Sequence, residues 1–159
     1  MAMPGLKIVT AESSDAKEIL DLQKKAYQSE AEIYNDFSIA PLTQTLEEME
    51  TDFKKQVIFK TLHEDRIIGS VRAFSKEGIC FIGRLIVHPD YQRRGIGTLL
   101  VNEVERFFKE SKRFELFTGH KSERNIRFYE KLGYLTFRTE NVTKDLDLLF
   151  MEKKPEKIE

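Results

Sequence analysis

The chain has 159 residues, a formal net charge of −1, 40% hydrophobic residues and 33% charged residues. That is the length and balance of one soluble domain able to bury a core of its own. Its global charge would not drive it onto nucleic acid or an acidic membrane surface, so any anion binding must come from local arrangement.

In chain order, the apolar run LKIVTA (6–11) predicts a first strand. Ser13 or Ser14 is placed to cap a helix, with Asp15 and Glu18 at its positive end. Ile19, Leu22, Ala26 and Tyr27 follow at helical spacing. Residues 28–42 break that period and carry Glu30, Glu32 and Asp36, with Tyr34 and Phe37 between them. Thr43 or Thr45 can cap a second helix running to about Lys55, with Leu46, Met49 and Phe53 as its stripe.

The pattern then becomes extended. QVIFKTLH and RIIGSVRAF flank Glu64-Asp65-Arg66 as an antiparallel hairpin, and GICFIGRLIVH adds a third strand that Pro89 ends. A helix starts near Gly95, with Ile96, Leu100, Val104 and Phe107 on one face. RFELFTG reads as a strand. SERNIRFYEKLG reads as a helix with Ser122 as N-cap and Gly133 as stop. YLTFRT and DLLFMEK close the fold as strands, and KPEKIE reads as a frayed tail.

The expected order is therefore β-α-α-β-β-β-α-β-α-β-β, an α/β fold of the α+β type, with helices packed on a central sheet. No repeat or linker divides it, so residues 1–159 are expected to form a single domain, with a core over 6–152 and a tail over 153–159. The lone cysteine, Cys80, rules out an internal disulfide and a multi-cysteine metal site, and fits a reducing cytoplasm. No apolar run approaches the roughly 20 residues of a membrane span. The opening MAMPGLKIV lacks a signal-peptide pattern, and its first four residues are left out of the fold reading.

One stretch, PDYQRRGIGTLL (89–100), joins a buried strand to a helix and concentrates arginine and glycine there. The first turn of a helix has N–H groups without intrahelical partners and a partly positive dipole end, so an anion there can accept several backbone hydrogen bonds. Gly95 and Gly97 keep side chains away from those amides, Arg93 and Arg94 add charge at the rim, and Gln92 adds a neutral donor. Together they make a pyrophosphate cradle. The run contains no Walker A loop, and Leu100 stands where a dinucleotide fingerprint wants its third glycine.

LIVHPDYQRRGIGTLL resembles the acyl-CoA-binding motif of the GNAT (Gcn5-related) N-acetyltransferases, whose loop reads Q/R-x-x-G-x-G/A after a strand, here Gln92 to Gly97. NIRFYEKLGY (125–134) resembles that family's second signature, in the right order. The resemblance implies a mixed, mostly antiparallel central sheet flanked by helices. It also implies an acetyl-CoA cleft between two parallel strands that splay apart, the strand carrying Leu85, Ile86 and Val87 and the strand FELFTG. Backbone groups of the former would pair with the pantetheine arm. The amides of Arg93, Arg94, Gly95, Ile96, Gly97 and Thr98 would hold the pyrophosphate, and Asn125 and Tyr129 would face the cofactor from its other side.

The same resemblance implies direct acetyl transfer to a primary amine of a small molecule or peptide, with Tyr129 as general acid toward the departing thiolate. An ammonium with a pKa near 10 must lose a proton first. Glu30, Glu32 and Asp36 lie in the segment that lines the acceptor side in such proteins, as candidates for amine recognition or proton acceptance. Two departures stand out. Ser122 occupies the position seven before the tyrosine where many relatives carry asparagine, and CFIGRLIV has no acid to serve as base. A noncatalytic acyl-CoA-binding module that regulates a partner is the alternative reading, since it would share the loop.

Of the remaining residues, Cys80 reads as a buried strand cysteine. His63, His88 and His120 lack ligand spacing, so no metal is expected, although His120 could act as acid or base. Arg84 could reach substrate or pair with an acid. Nucleic acid and membrane partners are not expected; a homodimer is possible by resemblance.

Overall fold

A computed structural model of the chain describes residues 4–155. The first three residues and the last four of the expected tail lie outside the described residues. A seven-stranded sheet runs in the order β1-β2-β3-β4-β5-β7-β6. Its strands are β1 (Leu6–Thr10), β2 (Val57–His63), β3 (Arg66–Lys76), β4 (Ile79–Val87), β5 (Arg113–Gly119), β6 (Leu135–Thr143) and β7 (Leu146–Lys153). Every neighbouring pair is antiparallel except β4–β5. The β2–β3 hairpin closes through Glu64 and Asp65, both at positive φ (52° and 65°), whose local twist matches that of the strands they join.

The helices are α1 (Ala16–Ala26), α2 (Gln28–Tyr34), α3 (Ala40–Thr43), α4 (Leu46–Lys55), α5 (Ile96–Phe107) and α6 (Glu123–Lys131). On one sheet face α5 buries Ile96, Leu100, Val101 and Val104 against Phe59, Val71, Ala73, Cys80, Phe114, Leu116 and Met151. On the other, Ile19, Leu22 and Met49 of α1 and α4 pack on Ile58, Ile67 and Ile86. Complete burial of such an aliphatic side chain stabilises by about 1.5–3 kcal/mol, so these two stripes fix which face each helix covers. Among the described residues no helix is long and apolar enough to cross a membrane.

Four local expectations are corrected or refined. Ser13 and Ser14 do not cap α1: with Asp15 they form a 3₁₀ turn that begins after Glu12, whose N–H donates to Asp15 Oδ2. Thr45, rather than Thr43, caps α4, accepting from Glu48 N–H while the Glu48 carboxylate accepts from Thr45 N–H. The segment taken as irregular holds α2 and α3, which have little or no buried apolar stripe to announce them. Ser122 does occupy the N-cap position of α6, its carbonyl accepting from Ile126 N–H, but its side chain makes no capping bond and donates to Glu30 instead. Gly133 does end α6, at φ 99°.

Candidate active site

The parallel pairing of β4 and β5 covers only Ile79–Arg113, Cys80–Phe114 and Phe81–Glu115. Beyond it the two strands diverge, leaving the backbone edge of Leu85, Ile86 and Val87 unpaired on the β5 side. β4 is also irregular against β3. Ser70 pairs with Ile86 and Arg72 with Gly83, so Val71 alone faces both Arg84 and Leu85. That extra residue is a β-bulge, with Arg84 held at φ 49°. A non-glycine residue there costs about 1–3 kcal/mol.

The opening is a cleft of about 850 Å³. Leu85, Ile86, Val87, Gln92, Asn125, Phe128 and Tyr129 line one part of it, and Glu30, Tyr34, Asp36 and Arg84 another. Aromatic pairs Phe74–Phe81 and Phe117–Phe150, with centroids 5.2 and 5.5 Å apart, floor the rest.

At the mouth, Gly95 is left-handed (φ 81°) immediately before α5, and a Cβ there would meet nothing within 4 Å. The first helical bond runs from Leu99 N–H to the Gly95 carbonyl at 3.1 Å, leaving the N–H groups of Ile96, Gly97 and Thr98 without helical partners. Ile96 directs its side chain into the core, so only its backbone is available. Gly97 has a different reason to be glycine: its missing Cβ would lie 3.2 Å from Phe128 Cζ, so it seats α6 on α5. Arg93 sits at φ 64° and Arg94 stacks over Tyr91 at 5.3 Å. The Gln92 side-chain amide donates to the Val87 carbonyl at 3.4 Å. An open cradle at Gly95, facing unpartnered amides beside a free strand edge, fits a phosphate-bearing ligand with an extended arm.

On the opposite wall, the Glu30 carboxylate accepts from Ser122 Oγ at 2.7 Å and from Asn125 Nδ2 at 3.0 Å. Lys121 N–H donates to Tyr34 Oη at 3.0 Å, and Tyr34 Oη and Ser122 Oγ are 3.0 Å apart. Proton counting orients the relay: Ser122 spends its hydrogen on Glu30, so Tyr34 donates to Ser122. Helix α2 is thereby tied to the start of α6. Asn125 spends a side-chain donor on Glu30. Asp36 is bound by Ser38, whose hydroxyl and N–H both donate to it and hold its pKa below the usual value. Glu32 is exposed and lies outside the cleft lining.

Tyr129 sits on α6 one turn beyond Asn125, and neither its hydroxyl nor that of Tyr27 has a hydrogen-bond partner among the described residues. Burial raises the pKa of both phenols, and Glu30 adds to the shift at each. Both therefore remain protonated throughout the neutral range. His120 is engaged outside the cleft lining, its Nδ1 accepting from Asp147 N–H at 2.9 Å. Cys80 is buried in the core, which pushes its thiol up to about 12. Among the described residues no cluster of His, Cys, Asp and Glu is arranged to hold a metal ion.

Residues 16–134 match the family described as Acetyltransferase (GNAT) family. The chain belongs to that family. UPF0157 protein YqkA of Bacillus subtilis is 26% identical over 77% of this chain and 35% of its own length. Glucosamine 6-phosphate N-acetyltransferase of Schizosaccharomyces pombe is 31% identical over 48% of this chain and 75% of its own. The chain thus spans about a third of the first relative and most of the second. The PaiA N-acetyltransferase of Thermoplasma acidophilum, solved with coenzyme A, has the same fold with a TM-score of 0.78 at 16% identity, over 97% of this chain and 99% of that one.

Sequence reasoning placed Leu85–Val87, Gln92–Thr98, Asn125 and Tyr129 around one strand-to-helix junction, and the structure brings these segments together. It missed Tyr27, read only as a helix-stripe residue, and the Tyr34–Ser122 link. A tyrosine beside an acid in a segment without apolar period was the available signal.

Proposed function

We propose that this GNAT protein is an N-acetyltransferase that uses acetyl-CoA and transfers the acetyl group directly to a primary amine, in the cytoplasm, with residues 6–152 as the working domain. The observation that carries the reading is the divergence of β4 from β5 where Leu85, Ile86, Val87, Gln92 and Tyr129 line the cleft. The N-acetyltransferase relative, which acts by its name on an amino sugar, supports an amine acceptor.

Acetyl-CoA supplies an activated thioester carbonyl. The chain's residues do the rest. The free edge of Leu85–Val87 offers backbone groups to an extended pantetheine arm, as an added strand would use them. The amides of Ile96, Gly97 and Thr98, with Gln92, Arg93 and Arg94 at the rim, hold the pyrophosphate. The ammonium first gives up a proton to solvent; as its nitrogen then bonds to the carbonyl carbon and the C–S bond breaks, the Tyr129 hydroxyl gives its proton to the leaving sulfur, and the phenolate regains one through water as the amide nitrogen sheds its remaining extra proton. Glu30 and Asp36 present negative charge to the incoming ammonium. Glu32, outside the lining, contributes only to the approach.

Release of free thiol from acetyl-CoA, measured across a panel of primary amines, tests the reading. Amine-dependent release supports it. Binding of acetyl-CoA without release for any amine class would favour a regulatory acyl-CoA-binding module.

A further inference from the structure

Of the three arginines lining the cleft, Arg72 and Arg138 have carboxylate partners, and the cleft's own acids are each held by hydrogen bonds or an ion pair. Glu30 is held by Ser122 and Asn125, and Asp36 by Ser38. Glu115 pairs with Arg113 at 3.1 Å and Arg138 with Glu140 at 2.8 Å. Arg72 pairs with Asp52 at 2.5 Å, and the Gln44 amide donates to that same carboxylate oxygen. Arg84 is the exception. Among the described residues no carboxylate lies within ion-pair distance of it, and its one bond goes to the neutral Gln44 Oε1 at 3.3 Å.

That oxygen already accepts from Gln23 Nε2 at 2.9 Å. Arg84 thus reaches the Asp52 carboxylate only through the Gln44 amide, and Arg72 alone touches it. Burial, and then repulsion from Arg72, weaken Arg84's hold on its proton. An arginine remains charged even so. Even half-burying a guanidinium without a counter-charge is unfavourable, and the fold nevertheless arranges it.

The arrangement depends on the bulge. Cys80 and Ile82 point into the α5-side core, and strict alternation would send residue 84 there too. The extra residue opposite Val71 instead puts Arg84 on the α1–α4 face beside Gln44, and restores Leu85 to the α5 side. A strained left-handed residue thus delivers a positive charge to the cleft wall one position before the strand edge assigned to the cofactor arm.

We infer that Arg84 is a specificity residue that binds an anionic group, a carboxylate or a phosphate, on the amine acceptor, so that the acceptor is a zwitterion rather than a simple alkylamine. The inference rests on the acetyltransferase reading. Its ammonium would face Glu30 and Asp36 while its anion completes the charge of Arg84.

The test uses the full chain and neutral–anionic probe pairs. N-acetylglycine is compared with N-acetylglycinamide for the carboxylate arm, and inorganic phosphate alone serves the phosphate arm. Binding is followed by NMR at the Arg84 Nε–H, and acetyl-CoA affinity of the wild-type chain is measured separately. At least one anion should bind about tenfold more tightly than neutral N-acetylglycinamide, with a shift at Arg84. Arg84→Gln should abolish that preference and Arg84→Lys should keep part of it. Arg84→Gln should also leave the ligand-free melting temperature unchanged or raised, because an unmatched charge is removed. Equal binding of neutral and anionic probes, a preference that survives in Arg84→Gln, no saturable anion binding up to tens of millimolar, or a strongly lowered melting temperature would each overturn the inference. Failure of the wild-type chain to bind acetyl-CoA would instead sink the acetyltransferase reading.

Discussion

The phenol oxygen of Tyr34 lies 1.9 Å from the point where a Cβ on Gly119 would stand. Glycine at the end of β5 is what lets α2 lie against that strand, and Tyr34 then completes the relay through Ser122 to Glu30. Gly119→Ala should expel the ring and release α2 from α6. The expected cost is about 1–3 kcal/mol by overpacking. Because Glu30 and Asp36 lie on this wall, the acceptor KM should rise more than the acetyl-CoA KM. Tyr34→Phe, which fits the space but cannot donate, should show a smaller version of the same pattern. Equal effects on both substrates would remove the acceptor-side role of α2.

Tyr129→Phe keeps the ring packing against Phe128 and Tyr134, whose centroids lie 5.1 and 6.0 Å away, and removes only the proton donor. Turnover should fall by about 10²-fold, the lower end of the contribution of a positioned acid or base. Calorimetric affinity for acetyl-CoA should change less than about twofold. Since burial holds the phenol above its ordinary value, the alkaline limb of the wild-type rate profile below pH 10 should belong to another group and persist in the variant.

Strand β1 was legible as the apolar run at Leu6, the six later strands because β-branched and aromatic runs alternate with turn residues from Val57 onward, and α5 because Ile96, Leu100 and Val104 repeat on one face. Helix α2 was not, because only Ala31 of its seven residues is buried and its fixing bonds reach residues about 90 positions away. Periodicity reports apolar stripes and is silent on polar tethers. The bulge was equally hidden: GRLIV looks like uninterrupted strand, and the slip exists only in register with Ser70 and Arg72. Ser122 stands at the cap position, yet its hydroxyl donates to Glu30 and accepts from no helix N–H.

Gly97 was read as room for a ligand, but the nearest atom to its missing Cβ belongs to Phe128. Gly97→Ala should therefore act by pushing α6, moving Tyr129 and lowering kcat. Shortening the ring in Gly97→Ala/Phe128→Leu should recover much of the lost kcat, a coupling that a double-mutant cycle measures directly. Additive losses would return Gly97 to the ligand side.

His88 immediately follows β4 and is buried, and burial together with the Arg66 guanidinium lowers its pKa, against a smaller opposing pull from Asp90. A folded pKa below the unfolded value of 6.5 means that the unfolded chain binds the proton more readily. The stabilisation is therefore complete above pH 6.5 and is lost as pH falls through the lower folded value. Urea midpoints should decline from pH 7 to pH 5, a range in which ordinary carboxylates stay largely ionised, and His88→Gln should flatten that decline. A wild-type stability that is level over this range would contradict the assignment.

The central claim is that acetyl-CoA enters between the diverging halves of β4 and β5. A titration of the ¹⁵N-labelled chain with acetyl-CoA tests it most directly. Saturable shifts should appear at the amides of Leu85, Ile86 and Val87 and of Gly95, Ile96, Gly97 and Thr98, with little change at the paired residues Ile79 and Arg113. No shifts at millimolar acetyl-CoA in a folded sample, or shifts confined to other surfaces, would contradict it.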